Sequence, residues 1–479
     1  MEDFLKKLKT EPEKVVETIR AKTKSRDSIS NYQKEYYDND RTIRPMQVAN
    51  IQKDKTVGTG ASSKIVKAVK IPLKFCKKIV TTATSFEVGK PVTIIPSDEN
   101  NLSELIYQIW KVNRIDSKIQ KLITLKKSET QAALQFYISD LKSESLLNRI
   151  LLKLGLKIQA KEIKCKVLDN KSGIMTPYFD ATGDMIAFMW EYKAFDQEAN
   201  KDLNHVEIWD KENYHYLNNA DGKLAYKTNP IPHGFDRIPV CYVEQSEPEW
   251  FDVKELIDRY EVAVSKLGAS VDYSAYPLLQ IFGEIASMPD KDDSGKILRF
   301  PIKVDEQGKE HHGRAEFLSA DDAIASAKFE LENLKSLIYS ISHTPDLSFD
   351  NVKGLGNVSA VALKLLFLDA VIKAKMNEGE NRTMIERILN IMTSGIVKTT
   401  NTGLIKEGEK MFFDIIFNSI IPDDVQTASD IIVKLKEAKL LSTESALKLL
   451  DLVDNPEEEL SLIKAESVIN EQTPPANAN

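Results

Sequence analysis

Cysteine is scarce in this 479-residue chain: Cys76, Cys165 and Cys241 are the only three, far apart in sequence. An odd, scattered set gives neither a disulfide framework nor a zinc-ligand spacing, and fits a reducing compartment. Long apolar runs are missing too. No stretch approaches the roughly 20 apolar residues of a membrane span. Residues 1–25 are charged throughout, without the apolar core of a signal peptide. The six histidines show no metal-ligand spacing on a helix, and adjacent His311 and His312, in a charged stretch, read as a solvated pair. Neither G-x-S-x-G nor H-E-x-x-H occurs. VGTGASSK (57–64) has the glycines of a phosphate loop but ends Ser63-Lys64-Ile65, where a Walker A motif needs Gly-Lys-Ser/Thr. No catalytic residue, cofactor or metal is assigned, and the chain is not read as an enzyme. Net positive charge is the last absence. Sixty-five basic residues face 72 acidic ones, a net −7. A protein that grips DNA by neutralising phosphates carries a basic domain. The balance argues against simple DNA binding and permits a protein that lets DNA pass.

What is present is ordinary for a folded protein: 42% hydrophobic and 29% charged residues, enough for two or three cores. Residues 1–30 read as a short amphipathic helix and a polar linker. Lys64, Lys67, Lys70, Lys74, Lys77 and Lys78 recur at helical spacing, interrupted by Pro72. That stripe is either a solvated face or a nucleic-acid or subunit contact. From 86 to 245 the signals are mixed. PVTIIP (91–96), IKCKVLD (163–169), MIAFMWEYKAF (185–195) and HVEIWD (205–210) are strand-like by β-branched and aromatic content. ATGD (181–184) and NADGK (219–223) supply turns. The stretch 102–158 is helical in pattern. The fold class is α+β, mostly helical.

Periodicity becomes clear at 252. Asp252 with Glu255 forms a capping-box signature. Val253, Ile257, Tyr260, Val264, Leu267 and Val271 then step by four and three, one seam on a helix of about 22 residues, roughly 33 Å long. A second such helix opens at Ser319 with Asp322. Its seam is Ile324, Ala327, Leu331, Leu334, Ile338 and Ile341, and Pro345 bounds it. Between them, 276–318 holds short apolar runs around MPDKDDSGK, a charged loop. The pair is either an antiparallel hairpin buried in a bundle or a long stem carrying a small module at its tip. A Gly/Asn/Asp-rich loop, DLSFDNVKGLGNVS (346–359), leads into one very long helical pattern over 360–397. Gly379 lies inside it, where a bend is expected. MFFDIIFN (411–418) is strand-like. Residues 423–470 are helical, with Ser442 capping one helix and Asn455-Pro456 opening another. The tail 471–479 reads as disordered.

Six segments in this order resemble the portal (connector) proteins of long-tailed double-stranded-DNA bacteriophages, over about residues 33–466. They are NYQKEYYDND (31–40); SSKIVKAVKIPLKFCKKIVTTATSFEVGKPVTI (62–94), with Gly89, Lys90 and Pro91; HGFDRIPVCYVEQSEPEWFDVKELIDRYEVAVSK (233–266), with Asp258, Tyr260 and Ser265; GNVSAVALKLLFLDAVIKAK (356–375); IIFNSIIPDD (415–424); and LLSTESALKLLDLVDNPEEELSLIKAE (440–466). Two departures stand out: Ala360 replaces a family glycine, and the glycine of a mid-domain strand is missing near SETQAALQFY (128–137).

The resemblance implies a dodecameric ring at one capsid vertex, for DNA packaging, retention and ejection. It implies an N-terminal helix and linker (1–30), an α+β wing (31–250), stem helices (251–275 and 319–345) and a clip (276–318) docking motor and adaptor. A tunnel loop (346–358), a tunnel helix with wing return (359–422) and a crown (423–470) follow. Asp350, Asn351, Val352, Lys353, Gly354, Leu355, Gly356 and Asn357 would face DNA. Lys291, Asp292, Asp293, Lys296 and Arg299 would lie in the clip. Implied partners are other copies of the chain, duplex DNA, the terminase large subunit, a head-completion adaptor, and major capsid and scaffolding proteins; no membrane is involved. The implied location is the virion, after assembly in the host cytoplasm. A helical intracellular scaffold without DNA contact is the alternative.

Overall fold

The computed structural model describes residues 7–8, 10–37, 54–57, 63–140, 161–197, 200–274, 279–282, 300–304, 308, 310–311, 314–317, 321–346, 365–421, 425–450, 459–460 and 462–463. In chain order it begins with helices α1 (Pro12–Arg20) and α2 (Arg26–Tyr37), the hairpin β1 (Lys55–Val57) and β2 (Lys64–Val66), then α3 (Phe75–Val88), β3 (Thr93–Pro96), α4 (Asn101–Val112) and α5 (Ile115–Glu129). Eight strands follow: β4 (Gln131–Asp140), β5 (Lys161–Leu168), β6 (Ile174–Phe179), β7 (Met185–Asp196), β8 (Lys201–Trp209), β9 (Asn213–Asn218), β10 (Ala225–Pro232) and β11 (Val240–Glu244). Next are α6 (Lys254–Ser274), the short strands β12 (Leu279–Phe282), β13 (Lys303–Val304), β14 (Glu310–His311) and β15 (Arg314–Phe317), and α7 (Asp321–Ile341). The long α8 (Leu368–Gly395), β16 (Phe413–Ile416), α9 (Val425–Glu437) and α10 (Thr443–Leu450) complete it. The class is α+β.

Strands β6 to β10 form an antiparallel meander in the order β10-β9-β8-β7-β6. Its prolines explain its edges. Pro177 lies in β6, and Pro230 and Pro232 in β10, the two outer strands. Proline cannot donate to a ladder, so it is tolerated where one side of the strand is unpaired. The turns follow the expected chemistry: Asp180 Oδ1 accepts from the Thr182 and Asp184 amides, and Gly183 has a φ of 91°. One face of the meander buries Ala187, Met189, Val206, Ile208 and Leu217 under α1, through Val15, Val16 and Ile19. The opposite face sets Phe188, Trp190 and Trp209 against Ala133, Leu168 and Val240 of a three-stranded sheet, β11-β4-β5. That sheet's other side meets α4, α5 and α8 in the largest core, around Leu122, Ile123, Leu134, Phe136, Ile385 and Leu389.

Several sequence expectations change. Residues 131–140 lie in the stretch read as helical, yet form β4, paired on both sides. Thr130, with a φ of 67°, ends α5, and ladders to two neighbours override the helical propensity of QAALQ. The lysine stripe is not one helix. Lys64 is in β2, Lys67 and Lys70 follow in extended chain, and α3 starts only after Lys74. Residues 26–37, partly read as linker, are helical. Asp252 is no helix cap: it sits in a 3₁₀ turn, Phe251–Val253, that precedes α6. The α8 helix runs through Gly379 without interruption and continues as a π-turn, Ile396–Thr400. Ser442 caps α10, its Oγ accepting from the Ser445 amide at 3.1 Å. The loop-like 58–62, Ser319, His312, Asn455-Pro456 and the tail lie outside the described residues.

Candidate functional site

The most regular unit is the antiparallel pair α6 and α7. Its seam is closed at the base and looser elsewhere. Val253, Ile257 and Ile338 are buried, packed with Trp250, Tyr36, Cys76, Ile79 and Val80. Tyr260, Val264, Leu267, Ala327, Leu331 and Leu334 are half-buried. Val271 and Ile341 are 52% and 44% exposed, so the partner helix does not cover them. The Ile324 side chain lies outside the described ones. An ion pair between Arg259 and Glu330 crosses the hairpin.

Trp250 anchors the base. It is fully buried, stacks on Tyr36 at 6.0 Å and donates from Nε1 to Glu35 at 2.9 Å. Beside it, Phe75 packs edge-on against Tyr260 and Tyr339, and the Lys78 ammonium sits 4.5 Å from the Tyr339 ring centre. Thus Lys78 is a brace on the hairpin.

An extended strap, residues 67–74, lies along α6. The Ile71 amide donates to Ser265 Oγ at 2.9 Å, and the Leu73 amide to Glu261 Oε1 at 2.8 Å. Both acceptors are fully buried. A Cβ on Gly268 would stand 3.3 Å from both Val69 and Ile71 side chains, so the strap needs a small residue there. Pro72 therefore sits in extended chain, where its missing N–H costs nothing.

Charges lock the hairpin to the body. Lys127, from α5, lies 2.9 Å from Glu87 Oε1 and 3.0 Å from Glu249 Oε2. Glu87 also accepts from Asn377 and Asn381 of α8, and Lys373 of α8 lies 2.7 Å from Glu249 Oε1. Burial pushes the Lys127 ammonium down, but Glu87 and Glu249 outweigh it and hold it above the usual lysine range. Burial pushes the Glu249 carboxyl up, but Lys127 and Lys373 outweigh it and hold it below the usual range. Lys373 also donates to the Ser342 carbonyl at 3.1 Å, just past the end of α7. Lys335 pairs with Asp346 at 2.9 Å; this bond raises its pKa. Both chain ends flanking residues 347–364 are therefore tied to the hairpin base.

The eight residues Asp350, Asn351, Val352, Lys353, Gly354, Leu355, Gly356 and Asn357 lie outside the described residues, as do Lys291, Asp292, Asp293, Lys296 and Arg299. Of residues 276–318, the structure describes two antiparallel strand pairs, β12 with β15 and β13 with β14. Lys127, Glu87, Glu249, Lys373 and Glu261 were not singled out by sequence. Their only signal is charge, which 137 other-than-neutral acidic and basic side chains share. Among the described residues no group of three His, Cys, Asp or Glu is placed to hold a metal. All three cysteines are buried and none is in a disulfide, and burial pushes the Cys241 thiol up to about 12, which makes it unreactive. Among the described residues no helix is long and apolar enough to cross a membrane.

A hairpin of two long helices is thus wedged at its base into an α+β body and followed by one long helix. The family model "Phage portal protein, SPP1 Gp6-like" matches residues 19–472, and the chain belongs to that family of phage portal proteins, a structural family. It is similar to a chain in a solved structure titled "Neck of empty GTA particle computed with C6 symmetry". That chain is 11% identical, with 90% of this chain and 95% of that one covered and a TM-score of 0.37. A chain in "Neck of native GTA particle computed with C12 symmetry" is 11% identical, with 80% and 92% covered and a TM-score of 0.34. No curated protein sequence matches the chain.

Proposed function

We propose that the chain is one subunit of a dodecameric ring at a capsid vertex, through which DNA enters during packaging, is retained, and leaves on ejection. In this reading α6 and α7 are the stem, 276–318 the clip that meets the terminase large subunit and later a head-completion adaptor, and 346–358 the tunnel loop. The long α8 is the tunnel helix, and 423–470 the crown. Major capsid and scaffolding proteins contact the outside of the ring. The particle assembles in the host cytoplasm.

The observation that supports this best is the double tether of 347–364, through Lys335–Asp346 on one side and Lys373–Ser342 on the other. A segment held at both ends by the hairpin base can bear on DNA without the subunit body moving. The charge balance agrees. Duplex DNA carries one charge per roughly 1.7 Å of axis, so a strongly basic bore would hold it fast. A net charge of −7 with one lysine in the loop, Lys353, permits sliding. Lys353 is the residue assigned to phosphate contact. Deleting 350–356 tests the reading. Rings should still form by negative-stain microscopy, while packaged or retained DNA falls. Normal packaging together with normal retention would refute the role given to this segment.

A further inference from the structure

The two sheets touch through Ala133, Leu168 and Trp209, and beside that contact they enclose a cleft of about 650 Å³. Two of its lining groups are in unusual states. Glu207 is 7% exposed, accepts from the Tyr192 hydroxyl at 2.8 Å, and forms no ion pair with any described residue. Gln135 is 5% exposed, and its Oε1 is buried without a hydrogen-bond partner among the described residues. A buried carboxylate without a cation is costly, by several kcal/mol in general, and an orphaned acceptor costs about 1–3 kcal/mol. Trp209 and Tyr214, with ring centres 5.5 Å apart, also line the cleft. Burial and Glu207 raise the Tyr214 hydroxyl, which keeps that ring neutral. Two lysines, Lys161 and Lys166, and one aspartate, Asp140, all exposed, are also among the lining residues, a net positive charge at the cleft.

A carboxylate, a free amide oxygen and two aromatic faces together ask for a planar cation. A guanidinium has five N–H donors in one plane and stacks on aromatic rings; an ammonium does not stack. The two lysines would repel a bare cation and attract carboxylates around it. We propose that this cleft receives an arginine side chain from a partner protein, presented in a segment with acidic residues on both sides of the arginine. The site is separate from the hairpin and stands whether or not the chain works as a portal.

Calorimetric titration of the full chain with the capped tripeptide Glu-Arg-Glu tests it. The tripeptide binds saturably, and replacing arginine by neutral citrulline weakens binding at least about tenfold, or 1.4 kcal/mol. Glu207→Gln, which keeps the tyrosine contact, abolishes that preference. Lys161→Ser with Lys166→Ser weakens the tripeptide and tightens argininamide. Gln135→Leu weakens the tripeptide as well, and carries the test if Glu207→Gln does not fold. No saturable binding to the folded chain overturns the proposal. So does equal binding of the citrulline peptide, unaltered binding by folded variants, or argininamide binding as tightly as the tripeptide.

Discussion

Lys127 Nζ lies 3.0 Å from Glu249 Oε2, and each side chain is more than nine-tenths buried. Lys127 belongs to the helix that underlies the three-stranded sheet. Glu249 sits one residue before Trp250, where the hairpin begins. This contact, extended by Glu87, Lys373, Asn377 and Asn381, is where body, hairpin and long helix are joined.

Removing the ammonium leaves two buried carboxylates facing each other. Lys127→Met should therefore destabilise the chain by about 3–5 kcal/mol, the usual result of breaking one partner of a buried pair. Urea unfolding measures it. Adding Glu249→Gln should return part of the loss, because one uncompensated charge is removed.

The pH dependence follows from the two shifts. The Glu249 carboxyl is held low, so its contribution to stability is complete above its unfolded value, about 4.3, and disappears as pH falls through the folded value. The Lys127 ammonium is held high, so its contribution is complete below about 10.4 and disappears as pH rises through its folded value. The contribution of this pair to the melting temperature should be constant between these limits and fall outside them. In Lys127→Met the acid-side fall should shrink, read from melting curves taken at pH 3 to 8.

The strap predicts a graded pair. Ser265→Ala leaves the Ile71 amide without its acceptor and should cost about 1–3 kcal/mol. Gly268→Leu forces Val69 and Ile71 off α6 and should cost about 1–3 kcal/mol by overpacking. If the strap is one unit, the double variant loses less than the sum, which equilibrium unfolding decides.

Trp250→Ala empties the centre of the hairpin base, with an expected loss of about 3–5 kcal/mol. Val271→Ala, at an exposed position, should change monomer stability by under about 0.5 kcal/mol. A larger effect of Val271→Ala on ring yield than on monomer unfolding would locate that residue between subunits.

Much of this architecture is legible from local pattern. The four-and-three spacing marks the two hairpin helices, β-branched and aromatic runs mark β3, β5, β7 and β8, and Ser442 marks the start of α10. Position along the chain also carries the six portal-like segments. The reading stops where partners are distant in sequence. Nothing in QAALQ forbids a helix; β4 exists because β5 and β11 lie on either side of it. The lysines at 64–78 look periodic, yet Lys78 ends on an aromatic ring 261 positions away.

Spacing and composition by themselves determined the α+β class and the paired helices, because those depend on neighbours three, four or two residues apart, and the resemblance of six ordered segments pointed to the family. Only the tertiary structure decided which charges are buried, which amides Ser265 and Glu261 accept, and where the sheets leave Glu207 without a cation. A carboxylate in solution is much the same at every position of the chain; its energy is set by what the fold places within a few ångströms of it.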